Sequence, residues 1–366
     1  MTASTFSKIF GCIAGSRIGS SMAMPTEHLP IEESESRYGF LDDMRGITQN
    51  AKEFRWPHGP LTLKKQYEFP AGSTEDGIER QKLIADAIIV KGRRINVGDL
   101  AQSWLRNIRD EHFGYALHYS DKQYYDMLKA GMHPSHIGLF SLWPQIVTFA
   151  RSCHPLGLVN AGDPAQAIDD VYQIGSIYHQ QHGTGLQVAA AYTAAIAEAM
   201  RPSATLDAVI RTALEHLDRF VRADFEAVFT IAEQAEDMVA ARRKINDFFI
   251  YRYGELKSSG EEVVSRGMAI TILTKGDVKQ SILYGINFAR DTDCTTAIAA
   301  GLSGALSGVE GIPAEWIETV DKATVQNAAI TVCQRTLEET AQGIFDALRN
   351  TQAQRLATIR EFNLVN

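Results

Sequence analysis

Cysteine is scarce in this chain and poorly placed for a structural role. Cys12, Cys153, Cys294 and Cys333 are the only ones among 366 residues, and no two form a CxxC pair. A zinc ribbon and a disulfide framework are therefore excluded, and a reducing, cytoplasmic setting is expected. Long apolar runs are missing too: nothing approaches the roughly eighteen residues of a membrane span. The stretch Met1 to Met24 has a short apolar patch, but Arg17 interrupts it and Ser and Gly dilute it, so no export signal is read there. Positive charge is in deficit. Lys and Arg total 36 against 44 Asp and Glu, a net charge of −8, which argues against nucleic acid or an anionic membrane as partner. The one basic triplet, Arg242-Arg243-Lys244, is expected on a solvated helix face. Walker A and GxGxxG fingerprints are absent, and Ser135-His136 is not part of a GxSxG elbow.

What the chain does have is helical periodicity and 45% apolar content, ample for a sizeable core. Apolar residues recur at three- and four-residue spacing over Lys82 to Ile89, Val97 to Ile108, Ala165 to Ile177, Leu186 to Ala199, Ala204 to Phe229 and Glu262 to Leu273. Alternating strand patterns are rare. The C-terminal stretch Thr324 to Phe362 is amphipathic. Asp163-Pro164 reads as an N-cap followed by proline at the first helical position, and Gly276-Asp277 starts a helix over Val278 to Phe288. Asn50 to Gly72, with three prolines and mixed charge, reads as a long surface loop. No linker divides the chain. The expected architecture is all-α, a single compact multi-helix domain over residues 1–366. The small-residue run Ala297 to Gly308 is expected to be a helix buried at its centre, since small side chains let a neighbouring backbone approach closely.

The chemistry concentrates in acids. Asp291 and Asp293 lie two residues apart, between an apolar helix and the small-residue run, with Cys294 next to them. Half-buried carboxylates this close repel unless a divalent cation or a guanidinium sits beside them. Thr74-Glu75-Asp76 is a second acidic knot far upstream. It reads either as the other half of a hard-metal site or as a helix start, with Thr74 as cap and the acids in the first turn. Other features have plainer readings. His133 and His136, around Pro134, lie in a loop. His179 and His182 could share a helix face. Arg290 is expected to neutralise Asp291, and Phe140 and Trp143, three apart, to pack in the core. Gly183-Thr184-Gly185 either starts a helix or lets a ligand phosphate approach the backbone.

Several stretches, in order along the chain, resemble the ADP-ribosylglycohydrolase family. Gly11-Cys12-Ile13-Ala14-Gly15 with Met24-Pro25-Thr26-Glu27 resembles its N-terminal signature, and Thr74-Glu75-Asp76 stands where the family has Thr-Asp-Asp. Pro155 to Pro164 is similar to its central turn, Tyr178-His179 to its central histidine, and Asn287 to Cys294 to its Asp-x-Asp motif. The resemblance implies an all-α hydrolase cleaving N- or O-ribosyl bonds of ADP-ribose adducts with two magnesium ions. It places Thr74, Glu75, Asp76, Asp291, Asp293 and Cys294 around the metal, with Glu27, Asp76 and Asp291 as catalytic acids or bases. His179, Gly183, Thr184 and Gly185 would then face the substrate. The chain departs from the family pattern at Ser20, where an Asp is common, at Glu75, one methylene longer than Asp, at Gly77, where Thr is frequent, and at Cys294, where Thr or Ser is usual. A thiol is a soft ligand, so manganese is an alternative ion. An ADP-ribosyl protein, a small ribosyl metabolite lacking ADP, and a catalytically silent ADP-ribose-binding module all remain open at this stage, and so does the oligomeric state.

Overall fold

The small-residue run is indeed helical, over Thr292–Ser307, and is buried from Thr292 to Ala305. Its partner is the first long helix, Thr5–Ala23, itself buried from Gly11 to Ala23. The two run backbone against backbone. A Cβ built on Gly11 would lie 2.5 Å from the carbonyl carbon of Gly308, and one on Gly304 would lie 2.1 Å from the Gly11 oxygen. Glycine is required there because no side chain fits between the two chains.

In the computed structural model, residues 3–50, 55–56, 59–60, 66–114, 116–253 and 258–362 are described. Seventeen α-helices lie among them. Val278–Ile286, Gly260–Leu273 and Thr184–Ala199 pack around the central pair. One apolar cluster runs through Ile13, Leu156, Ile196, Ile298 and Ile344. The all-α expectation therefore holds, and no helix among the described residues is long and apolar enough to cross a membrane.

Several sequence expectations are corrected. Ala204 to Phe229 is two helices, Leu206–His216 and Arg219–Gln234. The break comes at Asp218, whose carboxylate accepts from the Phe220 and Val221 amides at 2.8 and 3.1 Å. The amphipathic C-terminal stretch takes in the end of the helix Ala314–Gln326 and the helix Leu337–Glu361. The segment between them satisfies a buried acid. Val332 N–H and Thr331 Oγ1 donate to Glu79 Oε2 at 2.7 and 3.0 Å. The expected loop from Asn50 to Gly72 is bounded by an antiparallel ladder, Ile47–Asn50 against Gln66–Phe69; residues 51–54, 57–58 and 61–65 lie outside the described set. Arg242 is not solvated. It is 3% exposed and donates to the Asn287 carbonyl at 2.8 Å, while Arg243 and Lys244 do face solvent.

His154 marks how polar groups are carried in this core. It is fully buried, with Nε2 2.9 Å from Tyr192 Oη and 3.2 Å from the Ala297 carbonyl, and Nδ1 3.2 Å from Gln81 Nε2. Burial pushes its pKa down to about 4. The unfolded chain therefore binds a proton at His154 that the native state refuses, between roughly pH 6.5 and 4. Stability should fall as the pH drops through that window. His154→Gln should flatten the acid limb of a Tm-against-pH curve; an unchanged slope would show that His154 is not the group responsible.

Candidate active site

Asp291 and Asp293 are positioned by a strained bend. Ala289 and Arg290, neither of them glycine, have φ of 67° and 65°. Each left-handed residue of this kind costs on the order of 1–3 kcal/mol and persists only when its surroundings fix it. Here Arg266, fully buried, donates from Nη2 to the carbonyls of Phe288 and Ala289 at 2.8 and 2.9 Å. The Arg290 carbonyl accepts from the His28 and Thr292 amides at 2.6 and 3.0 Å. The Arg290 side chain turns to Glu262, with Nη2 3.0 Å from Oε2. The expected pairing with Asp291 is thus corrected: the acid that Arg290 bonds is the buried Glu262. Past the bend the Thr292–Ser307 helix starts with Asp291 in the N-cap position, yet its carboxylate makes no capping hydrogen bond.

The early acids start another helix, Asp76–Lys91. Glu75, not Thr74, is its cap: the carboxylate accepts from Gly77 N at 2.8 Å and Ile78 N at 3.1 Å. Thr74 is corrected in role as well as place. Its hydroxyl donates to Glu79 Oε1 at 2.6 Å and accepts from Lys82 Nζ at 3.0 Å. Ser20 Oγ reaches Glu75 Oε1 at 3.0 Å, so the longer Glu and the Ser that stands where an Asp is common answer one another.

The two acidic pairs meet on Arg151. Its Nη2 lies 2.7 Å from Glu75 Oε2 and also bonds Asp76 Oδ1; its Nη1 lies 3.1 Å from Asp293 Oδ2 and also bonds the Cys294 sulfur. Asp76 has a second cation, Arg80 Nη2 at 2.7 Å, and that arginine also bonds Asp121. Arg151 and Arg80 hold the Asp76 carboxyl well below its usual range in spite of burial. Burial pushes Glu75 up to about 7 against the pull of Arg151. Asp293 is raised well above the usual range, by burial first and then by the charges of Glu27, Asp291 and Glu75. Asp291 moves the other way: the neighbouring Asp293 carboxyl and the Arg151 guanidinium outweigh burial.

Beside them lies a cavity of about 190 Å³, lined on the acidic side by Glu27, Asp76, Arg151, Asp291 and Cys294, but not by Glu75 or Asp293. Tyr178, His179 and Trp143 also line it. His179 is buried and lies in a turn rather than sharing a helix face with exposed His182. Burial lowers its pKa to about 3, and neither ring nitrogen has a partner among the described residues. Phe140 and Trp143 are not core residues; they are 48% and 44% exposed. Gly183, Thr184 and Gly185 do not line the cavity. A Cβ on Gly183 or Gly185 would collide with the Pro144 carbonyl, and Gly185 N–H donates to that oxygen at 2.9 Å. These glycines admit a neighbouring loop rather than a phosphate.

The donor set suits a hard cation. Among the described residues, ligand atoms of Asp291, Asp293 and Cys294 lie within 4.8 Å of one another. Asp291 Oδ1 and Asp293 Oδ1 are buried oxygens without a hydrogen-bond partner, and such orphans call for a cation or water. The Cys294 thiol is pushed well up by burial and is a poor ligand for magnesium beside these oxygens.

The family model described as ADP-ribosylglycohydrolase matches residues 1–354. The chain belongs to the ADP-ribosylglycohydrolase family. Membership makes it a hydrolase of glycosidic bonds by kinship. A solved structure titled "ADP-ribosylglycohydrolase-related protein complex" superposes with a TM-score of 0.63 over 94% of this chain and 99% of that one, at 15% identity, a likeness of fold. A curated relative, the ADP-ribosylarginine hydrolase Tri1 of Pseudomonas putida (strain GB-1), is 37% identical over 67 residues. That match spans 18% of each chain. In this member of the family the sequence motifs single out both acidic pairs; they carry no sign of Arg151, Arg80 or the Arg266 clamp.

Proposed function

We propose that the protein hydrolyses an N- or O-ribosyl bond of an ADP-ribosyl compound, with a divalent cation, at the cavity beside Asp291. The convergence of Glu27, Asp76 and Asp291 on one cavity wall, with Asp293 close enough to share an ion with Asp291, carries the reading in a chain of this family. Asp291 and Asp293 would hold a magnesium or manganese ion, which supplies fixed positive charge for ribose hydroxyls and water.

The chain's own residues have separable roles. Asp291, ionised and with an unpartnered oxygen, accepts a proton from the attacking water. Glu27, on the same wall, lends negative charge as the anomeric carbon becomes oxocarbenium-like. Asp76, fixed between Arg80 and Arg151, positions Arg151 rather than moving a proton. His179 is neutral at physiological pH and offers one donor and one acceptor nitrogen to ribose hydroxyls.

The cavity favours a second reading of the substrate. About 190 Å³ is below the roughly 300–1,000 Å³ of ordinary ligand pockets, which suits a ribosyl group with the remainder of the substrate outside, or a small ribosyl compound without ADP. Purified protein should release ADP-ribose from an ADP-ribosylated arginine peptide, or ribose from a nucleoside-like compound. EDTA should stop release and added Mg²⁺ restore it. Ligand binding with no product at long incubation would sink the hydrolase reading in favour of a silent binding module.

A further inference from the structure

We infer that Arg151 is a built-in cation of this site, so that the protein holds one divalent ion per chain and not two. The inference rests on the metal-dependent reading above and concerns how many ions that site admits.

The lone pairs of the two acidic couples are spent differently. Glu75 Oε1 accepts from Ser20 Oγ at 3.0 Å and Ile78 N at 3.1 Å, and Oε2 accepts from Gly77 N at 2.8 Å and Arg151 Nη2 at 2.7 Å. Asp76 Oδ1 is bonded by Arg151, and Oδ2 by Arg80 at 2.7 Å. Every oxygen of the early couple thus already faces a donor. The late couple is only partly engaged: Arg151 Nη1 bonds Asp293 Oδ2 at 3.1 Å and the Cys294 sulfur. Asp291 Oδ1 and Asp293 Oδ1 have no partner, although both residues are 2% exposed. Ligand atoms close enough to share an ion are found on Asp291, Asp293 and Cys294, and neither Glu75 nor Asp76 joins them. The place for an added cation is at the late couple; the early couple has its cation in the guanidinium.

The fold makes room for that guanidinium. A Cβ at residue 77 would stand 2.1 Å from Arg151 Nε and 2.5 Å from both Cδ and Cζ. Any residue but glycine at position 77 would press the arginine out from between the acids. Arg151 is 7% exposed overall and is carried by the turn over 148–152. A fixed guanidinium differs from a metal ion in one functional respect. It neutralises and orients carboxylates, but its donors are confined to the plane of the fork, and it cannot bind and polarise a water as an ion does. In a one-ion site water is activated only at that ion, beside Asp291.

Titration of the metal-free protein with Mn²⁺, and separately with Mg²⁺, tests this by calorimetry. Electron paramagnetic resonance of the Mn²⁺ form gives a second readout. The expected result is one ion per chain with the six-line spectrum of an isolated Mn²⁺. Two ions per chain with an exchange-coupled spectrum would overturn the inference while leaving the metal-dependent reading intact; no binding at all would overturn both. Arg151→Met should raise the stoichiometry from one to two, because it frees Glu75 and Asp76, and a stoichiometry still at one would also count against the inference. Should that variant fail to fold, Gly77→Ala makes the same test by crowding the guanidinium out, with the same two outcomes.

Discussion

Asp291→Asn is expected to lower kcat/KM on any ribosyl substrate by on the order of 10³-fold, with little change in melting temperature. The asymmetry follows from what the carboxylate does in the folded protein. Its Oδ1 has no hydrogen-bond partner, and it makes no capping bond to the helix it begins. Asparagine is nearly isosteric, so the packing around it is kept. What disappears is the negative charge that would bind a cation and accept a proton from water. Steady-state kinetics beside a thermal melt of the same preparation would check both halves. Activity within a few fold of the parent would remove Asp291 from the mechanism; a collapsed melting curve would show it to be structural.

The largest effect on stability is expected from Gly304→Val. The new Cβ would fall 2.1 Å from the Gly11 oxygen and 2.3 Å from its carbonyl carbon. These are backbone atoms in the facing helix, so no side-chain rotation relieves the clash. Overpacked cores generally lose about 1–3 kcal/mol, and separation of two central helices places this variant at the upper end or beyond. A fall in Tm of roughly 5 °C or more follows. A melt within 1 °C or so of the parent would mean that the helices part at no cost, contrary to the tight crossing.

Helices are legible in the sequence wherever one face is apolar and the period sustained, as over Val97–Asn107 and Gly260–Leu273. Periodicity alone hides the break at Asp218, because the apolar spacing of the two flanking helices stays nearly in phase across it; the capping carboxylate is the readable signal. Arg242 escapes for a different reason. A basic triplet looks solvated, but only one of its members points inward, where a carbonyl at Asn287 awaits it. In the site, both acidic pairs are visible because unneutralised carboxylates at short spacing demand a partner. The identity of that partner is not. A guanidinium is one of the two remedies that the sequence allows, yet Arg151 lies four residues before the Pro155 turn and carries no local signature. Its role depends on the missing side chain at Gly77, a contact across the fold that no single stretch of sequence contains. The Ser20 and Glu75 departures, taken separately, suggest a weakened site; together they form one hydrogen bond.

The order in which these parts leave the ribosome has a consequence of its own. Ser20, Glu75, Asp76 and Arg151 all emerge in the first half of the chain, whereas Asp291 and Asp293 come in its last quarter. Arg151 can close on the early acids long before the late ones exist, sparing the nascent protein an uncompensated cluster of negative charge. Under the proposed metal dependence, an ion would have to wait for the Thr292–Ser307 helix. A truncated or stalled chain would thus carry Arg151 and the early acids without Asp291 and Asp293.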